Sequence, residues 1–202
     1  MATMNYDKEV QKLYVAYFSR PADVAGLNYW SDVLEQNPQG YQVMSANFAA
    51  SQEYRDAYAG MDSRATVSAV YEHLFGRAAE AAGVDYWANL LDTKQITIDN
   101  VVTRVADGAQ GSDDYAYDAK VAVAGAFTAR LDMPYEQQAY KGAAALKVAV
   151  DYIASVKEIM SAAAGMDPGN IDMNIAKFAP APVGTTGMAE TVGVAPHEPL
   201  FG

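Results

Sequence analysis

The chain has no cysteine. That excludes disulfides, thiolate nucleophiles and cysteine-ligated metals together. Histidine is almost as scarce. His73 and His197 are the two present, and neither has a second histidine or a cysteine at ligand spacing, which argues against a transition-metal site. Basic residues are outnumbered, with 14 Lys and Arg against 25 Asp and Glu, giving a formal net charge of -11. Such a surface repels phosphate backbones and argues against a nucleic-acid partner. It also repels anionic membranes unless divalent cations bridge the two. No long apolar run is free of charge. The most apolar stretch, residues 143–164, carries Lys147, Asp151, Lys157 and Glu158 and reads as a soluble helix, so no transmembrane segment is expected. The opening residues 1–8 lack the basic segment and apolar core of a cleavable secretory signal. Sustained period-2 alternation is missing too, so almost no sheet is expected. There is no nucleophile elbow, P-loop, dinucleotide-binding glycine motif, HExxH or zinc-deaminase signature, and no carboxylate pair stands out for acid–base work. A non-enzymatic protein is expected.

What the chain does have is an internal duplication. Residues 13–30 recur as residues 70–87, 57 positions later. Tyr14, Phe18, Arg20, Ala22, Ala25, Gly26, Tyr29, Trp30 and Leu34 return as Tyr71, Phe75, Arg77, Ala79, Ala82, Gly83, Tyr86, Trp87 and Leu91. Both tryptophans of the chain belong to this unit. Repetition at a fixed period marks a scaffold that buries its core by packing copies together. At 51% hydrophobic residues, 202 residues suffice for one good core or two small coupled ones.

The periodicity predicts an all-α fold. Val10, Leu13, Tyr14, Tyr17 and Phe18 form the i, i+3, i+4, i+7, i+8 stripe of an amphipathic helix, which returns as Val67, Val70, Tyr71, Leu74 and Phe75. Ser63 is the expected N-cap of the second copy. Asp23 should cap a helix over 24–36, with Glu80 the poorer equivalent. Gly26 and Gly83 fall in the first turn of these second helices. Glycine costs about 1 kcal/mol inside a helix, so its recurrence suggests close approach of another backbone. Residues 41–59 read as one broken helix closed by Gly60, and 98–109 as its counterpart with Thr97 as cap. Two longer helices are expected over 112–131 and 135–164, divided near Met133-Pro134, then a short helix over 170–178. The expected architecture is therefore two tandem three-helix repeats (1–60 and 61–111), C-terminal helices (112–178) and an irregular Pro/Gly-rich tail (179–202) that reads as a linker.

The unit Tyr-x-x-x-Phe-x-Arg-x-Ala-x-x-x-Gly-x-x-Tyr-Trp resembles the DUF4214 repeat, a helical family common in large bacterial surface proteins. It also resembles the N-terminal anchoring regions of some proteobacterial S-layer proteins. The resemblance covers residues 8–110 twice over and the helices to 178 more loosely. It implies a structural protein at the cell surface, exported by type I secretion without an N-terminal signal. Two departures stand out. The Gly-Gly-x-Gly-x-Asp calcium repeats of such proteins are missing, and the first copy has Ser19-Arg20-Pro21 where the family has Gly-Arg.

Three groups of residues are candidates for a site. Tyr29 with Trp30, and Tyr86 with Trp87, offer either a stacking platform for sugars or the core of each repeat; the neighbouring apolar stripe favours the core. Residues at i and i+1 of a helix cannot point the same way, so one of each pair should be partly exposed. Arg20 and Arg77 offer forked donors to a saccharide carboxylate or phosphate, or to a carboxylate of the chain itself, and their recurrence favours the second. Asp113, Asp114 and Asp118, with Asp167 and Asp172, supply oxygen ligands that suit calcium, although Asp113 and Asp167 equally suit helix capping. The 14 tyrosines suggest a contact-rich surface. The function expected is a self-assembling layer or filament, or an anchor to cell-surface polysaccharide. The alternatives are a cytoplasmic helical linker or a monomeric carbohydrate-binding module.

Overall fold

Helix α1 (Asp7–Phe18) carries more apolar surface than a single stripe. Val10, Leu13, Tyr14, Val15, Ala16 and Tyr17 are all buried, along with Gln11. A helix apolar on nearly every side must be surrounded. In the computed structural model, which describes residues 6–180, α1 packs against α2 (Val24–Gln36), α3 (Gly40–Ala50), α4 (Gln52–Ala57), α5 (Ser63–Phe75), α7 (Val101–Asp107) and α8 (Ser112–Arg130). Its counterpart α5 packs against α6 (Ala81–Asp92), α7 and α8. The long α8 touches both, so the two repeats close on one shared helix. Buried side chains from Val10 to Ala179 form a single cluster. The fold is all-α, with twelve helices and no strand among the described residues.

Both first helices end on the same left-handed turn. Ser19 (φ 53°) and Gly76 (φ 69°) donate their backbone N–H to Val15 O and Glu72 O. Glycine takes this conformation freely, whereas serine carries a Cβ into it. Asp23 caps α2 as expected, its carboxylate accepting from Gly26 N at 2.8 Å. Glu80 makes no capping bond to α6 and instead accepts from Arg77.

Several local expectations are corrected. Asp62, not Ser63, caps α5, accepting from Ala65 N at 2.8 Å. Gly60 does adopt the left-handed conformation, but α4 has already ended at Ala57. Thr97 caps nothing. Its N–H donates to the Asn100 side chain, and α7 begins only at Val101. The helix expected over 135–164 is three: α9 (Pro134–Ala139), α10 (Gly142–Ala154) and α11 (Ile159–Gly165). Extended Lys141 and left-handed Gly142 (φ 78°) make the first break. At the second, Ser161 Oγ accepts the N–H groups of Lys157 and Glu158, diverting them from helical carbonyls. The last helix is α12 (Pro168–Ile175). The tail beyond Pro180, with His197, lies outside the described residues.

The tyrosines are mostly internal, contrary to the expected contact surface. Tyr14, Tyr17, Tyr54, Tyr58, Tyr71, Tyr117, Tyr140 and Tyr152 are buried. Their phenols reach loop and helix carbonyls inside the fold. Tyr17 donates to Asp99 O, Tyr117 to Lys12 O and Tyr140 to Pro21 O, at 2.7–2.8 Å.

Candidate functional site

The repeated signature proves to be one structural device built twice. Arg20, just past the end of α1, sends Nε and Nη2 to the two carboxylate oxygens of Glu53 (2.7 and 2.9 Å) and Nη1 to Pro21 O. Arg77, just past α5, does the same with Asp113 (2.7 and 2.7 Å) and Ala78 O, and adds Glu80. Each guanidinium also lies over the signature tyrosine of its own repeat, 5.3 Å from the Tyr14 centroid and 5.4 Å from that of Tyr71. Both forks are therefore filled by the chain itself, each tying one repeat's turn to a later helix. Burial opposes charge on Arg20, but the Glu53 carboxylate outweighs it and holds the guanidinium further toward its charged form. Asp113 and Glu80 do the same for the more exposed Arg77.

The signature glycines make room for the signature tyrosines. A Cβ on Gly26 would lie 2.2 Å from Tyr14 Oη, and one on Gly83 would lie 3.2 Å from Tyr71 Oη. The close approach is thus to a phenol and not, as expected, to another backbone. Burial, reinforced by Asp23, pushes the Tyr14 phenol well above its ordinary range.

The Tyr-Trp pairs divide as expected. Trp30 turns inward and meets Phe48 edge-on at 5.7 Å. Trp87 turns inward over Gly108, where a Cβ would come within 3.2 Å of the indole. Tyr29 and Tyr86 turn outward and are 60% and 59% exposed. Each meets its own tryptophan edge-on in almost the same geometry, 4.9 Å and 76° in one repeat, 5.0 Å and 75° in the other.

The five aspartates do not converge. Asp113 holds Arg77, Asp118 pairs with Lys8 at 3.3 Å, Asp172 holds Arg130 through two bonds, and Asp167 caps α12 by accepting from Asn170 N. Asp114 and Asp118 do line a common polar cavity of about 190 Å³ with Glu9, Asp107, Lys12 and Tyr117. Lys12 pairs with Glu9 there at 3.4 Å. Among the described residues no group of three or more His, Asp or Glu comes together to hold a metal ion. No described helix is long and apolar enough to cross a membrane.

Two internal polar clusters escaped the sequence reading. Gln11 donates to Thr128 Oγ1 (2.8 Å) and accepts from Ala22 N (3.1 Å), while Thr128 donates to Ala22 O (2.6 Å). This closed network pins α8 to the turn between α1 and α2. Lys120 is 1% exposed and donates to His73 O in the last turn of α5 at 2.6 Å. Burial lowers its pKa to about 8, with Glu72 opposing and Lys157 assisting. His73 lies against Tyr58, and burial, then Lys120, pushes its imidazole down. A signal for Lys120 was present, since it shares a helical face with Ala116, Tyr117, Ala124 and Phe127, all buried. A cleft of about 850 Å³ also opens between α1, α2 and α8, lined by Val24, Leu27, Val121, Ala126 and Leu131.

With this geometry in place, comparison with known proteins gives one finding. Residues 44–113 match the family described as Domain of unknown function (DUF4214). The match runs from α3 to the start of α8, about a third of the chain, and contains the whole second copy of the signature. That segment is similar to the family expected from the repeated motif. No curated protein and no solved structure matches the chain.

Proposed function

We propose that this chain is a non-enzymatic structural protein of a bacterial cell surface, which assembles with copies of itself or anchors such an assembly to surface polysaccharide. The observation that carries the reading is the use made of the duplicated residues. The arginines, glycines and tryptophans of both copies bind parts of their own chain, so the recurrent signature builds a frame instead of a reaction centre. The similarity of residues 44–113 to DUF4214 supports the same setting. Type I export belongs to this reading as well. The excess of carboxylates makes contact between copies dependent on divalent cations, with calcium bridging acidic surfaces that otherwise repel.

The test is negative-stain electron microscopy of the purified protein in millimolar calcium, beside the same sample in chelator. Sheets or filaments that vanish in chelator are the expected result. Monodisperse particles under both conditions would refute assembly and leave anchoring as the reading to test.

A further inference from the structure

The second helix of each repeat contributes little to the core. Leu34 is the buried residue of α2, and Val84 and Ala88 those of α6. Their outer faces carry the same arrangement of side chains. In α2, Ala25 precedes Tyr29 by one turn and Asp32 follows it; in α6, Ala82 precedes Tyr86 and Asn89 follows. All six residues are exposed.

From this duplicated ridge we infer that Tyr29 and Tyr86 are two equivalent stacking sites for a neutral polysaccharide. Three features carry the inference. Each phenol ring is held by an edge-on tryptophan, so an exposed aromatic plane is fixed before any ligand arrives and little side-chain entropy remains to be lost on binding. Neither hydroxyl has a hydrogen-bond partner among the described residues, and the turn before each ring ends in alanine, leaving that side of the ring open. A carboxylate or amide one turn on, Asp32 or Asn89, supplies the polar group that a sugar hydroxyl needs beside an apolar ring face.

Charge selects the class of sugar. Helices α2 and α6 carry no basic residue, Asp32 is exposed one turn past Tyr29, and Asp85, next to Tyr86, is paired with Arg64, on a chain of net charge -11. A polyanion is repelled from such a face, whereas a neutral glycan is not. Duplication argues for a polymer. The same site built twice matches a ligand that presents the same unit many times, which a monosaccharide does not. The inference deepens the anchoring part of the proposed function and is independent of self-assembly.

Affinity electrophoresis in native gels containing dextran, mannan, galactan or, as the polyanion, polygalacturonate tests it. The full chain is compared with Tyr29→Ala, Tyr86→Ala, the double alanine variant and the double Tyr→Phe variant, with circular dichroism to confirm folding. The expected result is retardation by a neutral polysaccharide that each single alanine variant weakens, since each removes one of two like sites. The double alanine variant should lose it and the double Phe variant keep it, because stacking needs the ring. Retardation unchanged in the double alanine variant, retardation by polygalacturonate alone, or none by any of the polymers would overturn the inference. So would sedimentation showing that the alanine variants lose self-association while glycan binding is absent, which would assign the ridge to a second copy. Assembly seen by microscopy without retardation refutes the glycan sites and leaves the assembling role intact.

Discussion

Replacing Gly26 by alanine measures how tightly the repeated signature is built. A Cβ there would sit 2.2 Å from Tyr14 Oη and 2.8 Å from Asp23 Oδ2, where ordinary contact begins at 3.4 Å. The phenol cannot easily retreat, because its ring is packed edge-on against Phe48 at 4.8 Å and Phe18 at 5.8 Å and covered by Arg20. Alanine gains about 1 kcal/mol over glycine in a helix. Overpacking of this kind costs about 1–3 kcal/mol, and an overlap beyond 1 Å belongs at the upper end. The expected net loss is about 2 kcal/mol, or roughly 4–8 °C in Tm for a domain of this size. At Gly83 the same atom would stand 3.2 Å from Tyr71 Oη, a clash that a slight shift of the ring relieves. Gly83→Ala should therefore be neutral or stabilising, by up to about 1 kcal/mol. Urea denaturation followed by circular dichroism reads both. Tyr14→Phe removes the clashing oxygen, so adding it to Gly26→Ala should recover most of the loss, with a coupling of at least about 1 kcal/mol in a double-mutant cycle. Equal effects at the two glycines, or no rescue by Tyr14→Phe, would refute the account of why glycine recurs.

Two further outcomes follow from the buried charges. Lys120 has its folded pKa lowered to about 8 from 10.5, so folding disfavours its proton and its own contribution to stability should rise with pH from 8 toward 10, while the buried tyrosines, whose phenols burial pushes up, act in the opposite direction there. The gain over that window is about 2 kcal/mol. Lys120→Met removes this contribution and leaves the tyrosines in place, so in urea denaturation the stability difference between variant and native chain should change by that amount across this range, and a constant difference would exonerate the lysine. The two arginine forks should differ in worth. Arg20 is 8% exposed while the side chain of its partner Glu53 is 38% exposed, so Arg20→Ala loses buried packing and charged hydrogen bonds but leaves a carboxylate that water can reach, a loss of about 2–3 kcal/mol. The Arg77 side chain is 35% exposed, so Arg77→Ala should cost nearer 1 kcal/mol after solvent screening. Equal losses by denaturation would contradict this ranking.

The duplication was legible from spacing alone, and with it the all-α class, the first helices of both repeats and the inward-outward division of the Tyr-Trp pairs. These depend on periodicity of 3.6 and on adjacent residues of a helix pointing 100° apart, which are local properties. The Asp23 cap was equally local. Three other features were not. The carboxylate partners of Arg20 and Arg77 lie 33 and 36 residues downstream, at positions that the 57-residue repeat does not align, so no spacing rule could choose Glu53 or Asp113. The closeness of Gly26 to a phenol depends on how α2 crosses α1. The apolar neighbours of Lys120 on its helical face pointed inward, but its partner, the carbonyl of His73, depends on α8 lying against both repeats, which only chain closure decides. The first two helices of each repeat and the recurrence of their residues were determined by sequence alone, because both are set within a few turns. Tertiary structure decided which recurrent residues serve the frame and which, like Tyr29 and Tyr86, are left facing outward, because burial is a property of the packed whole.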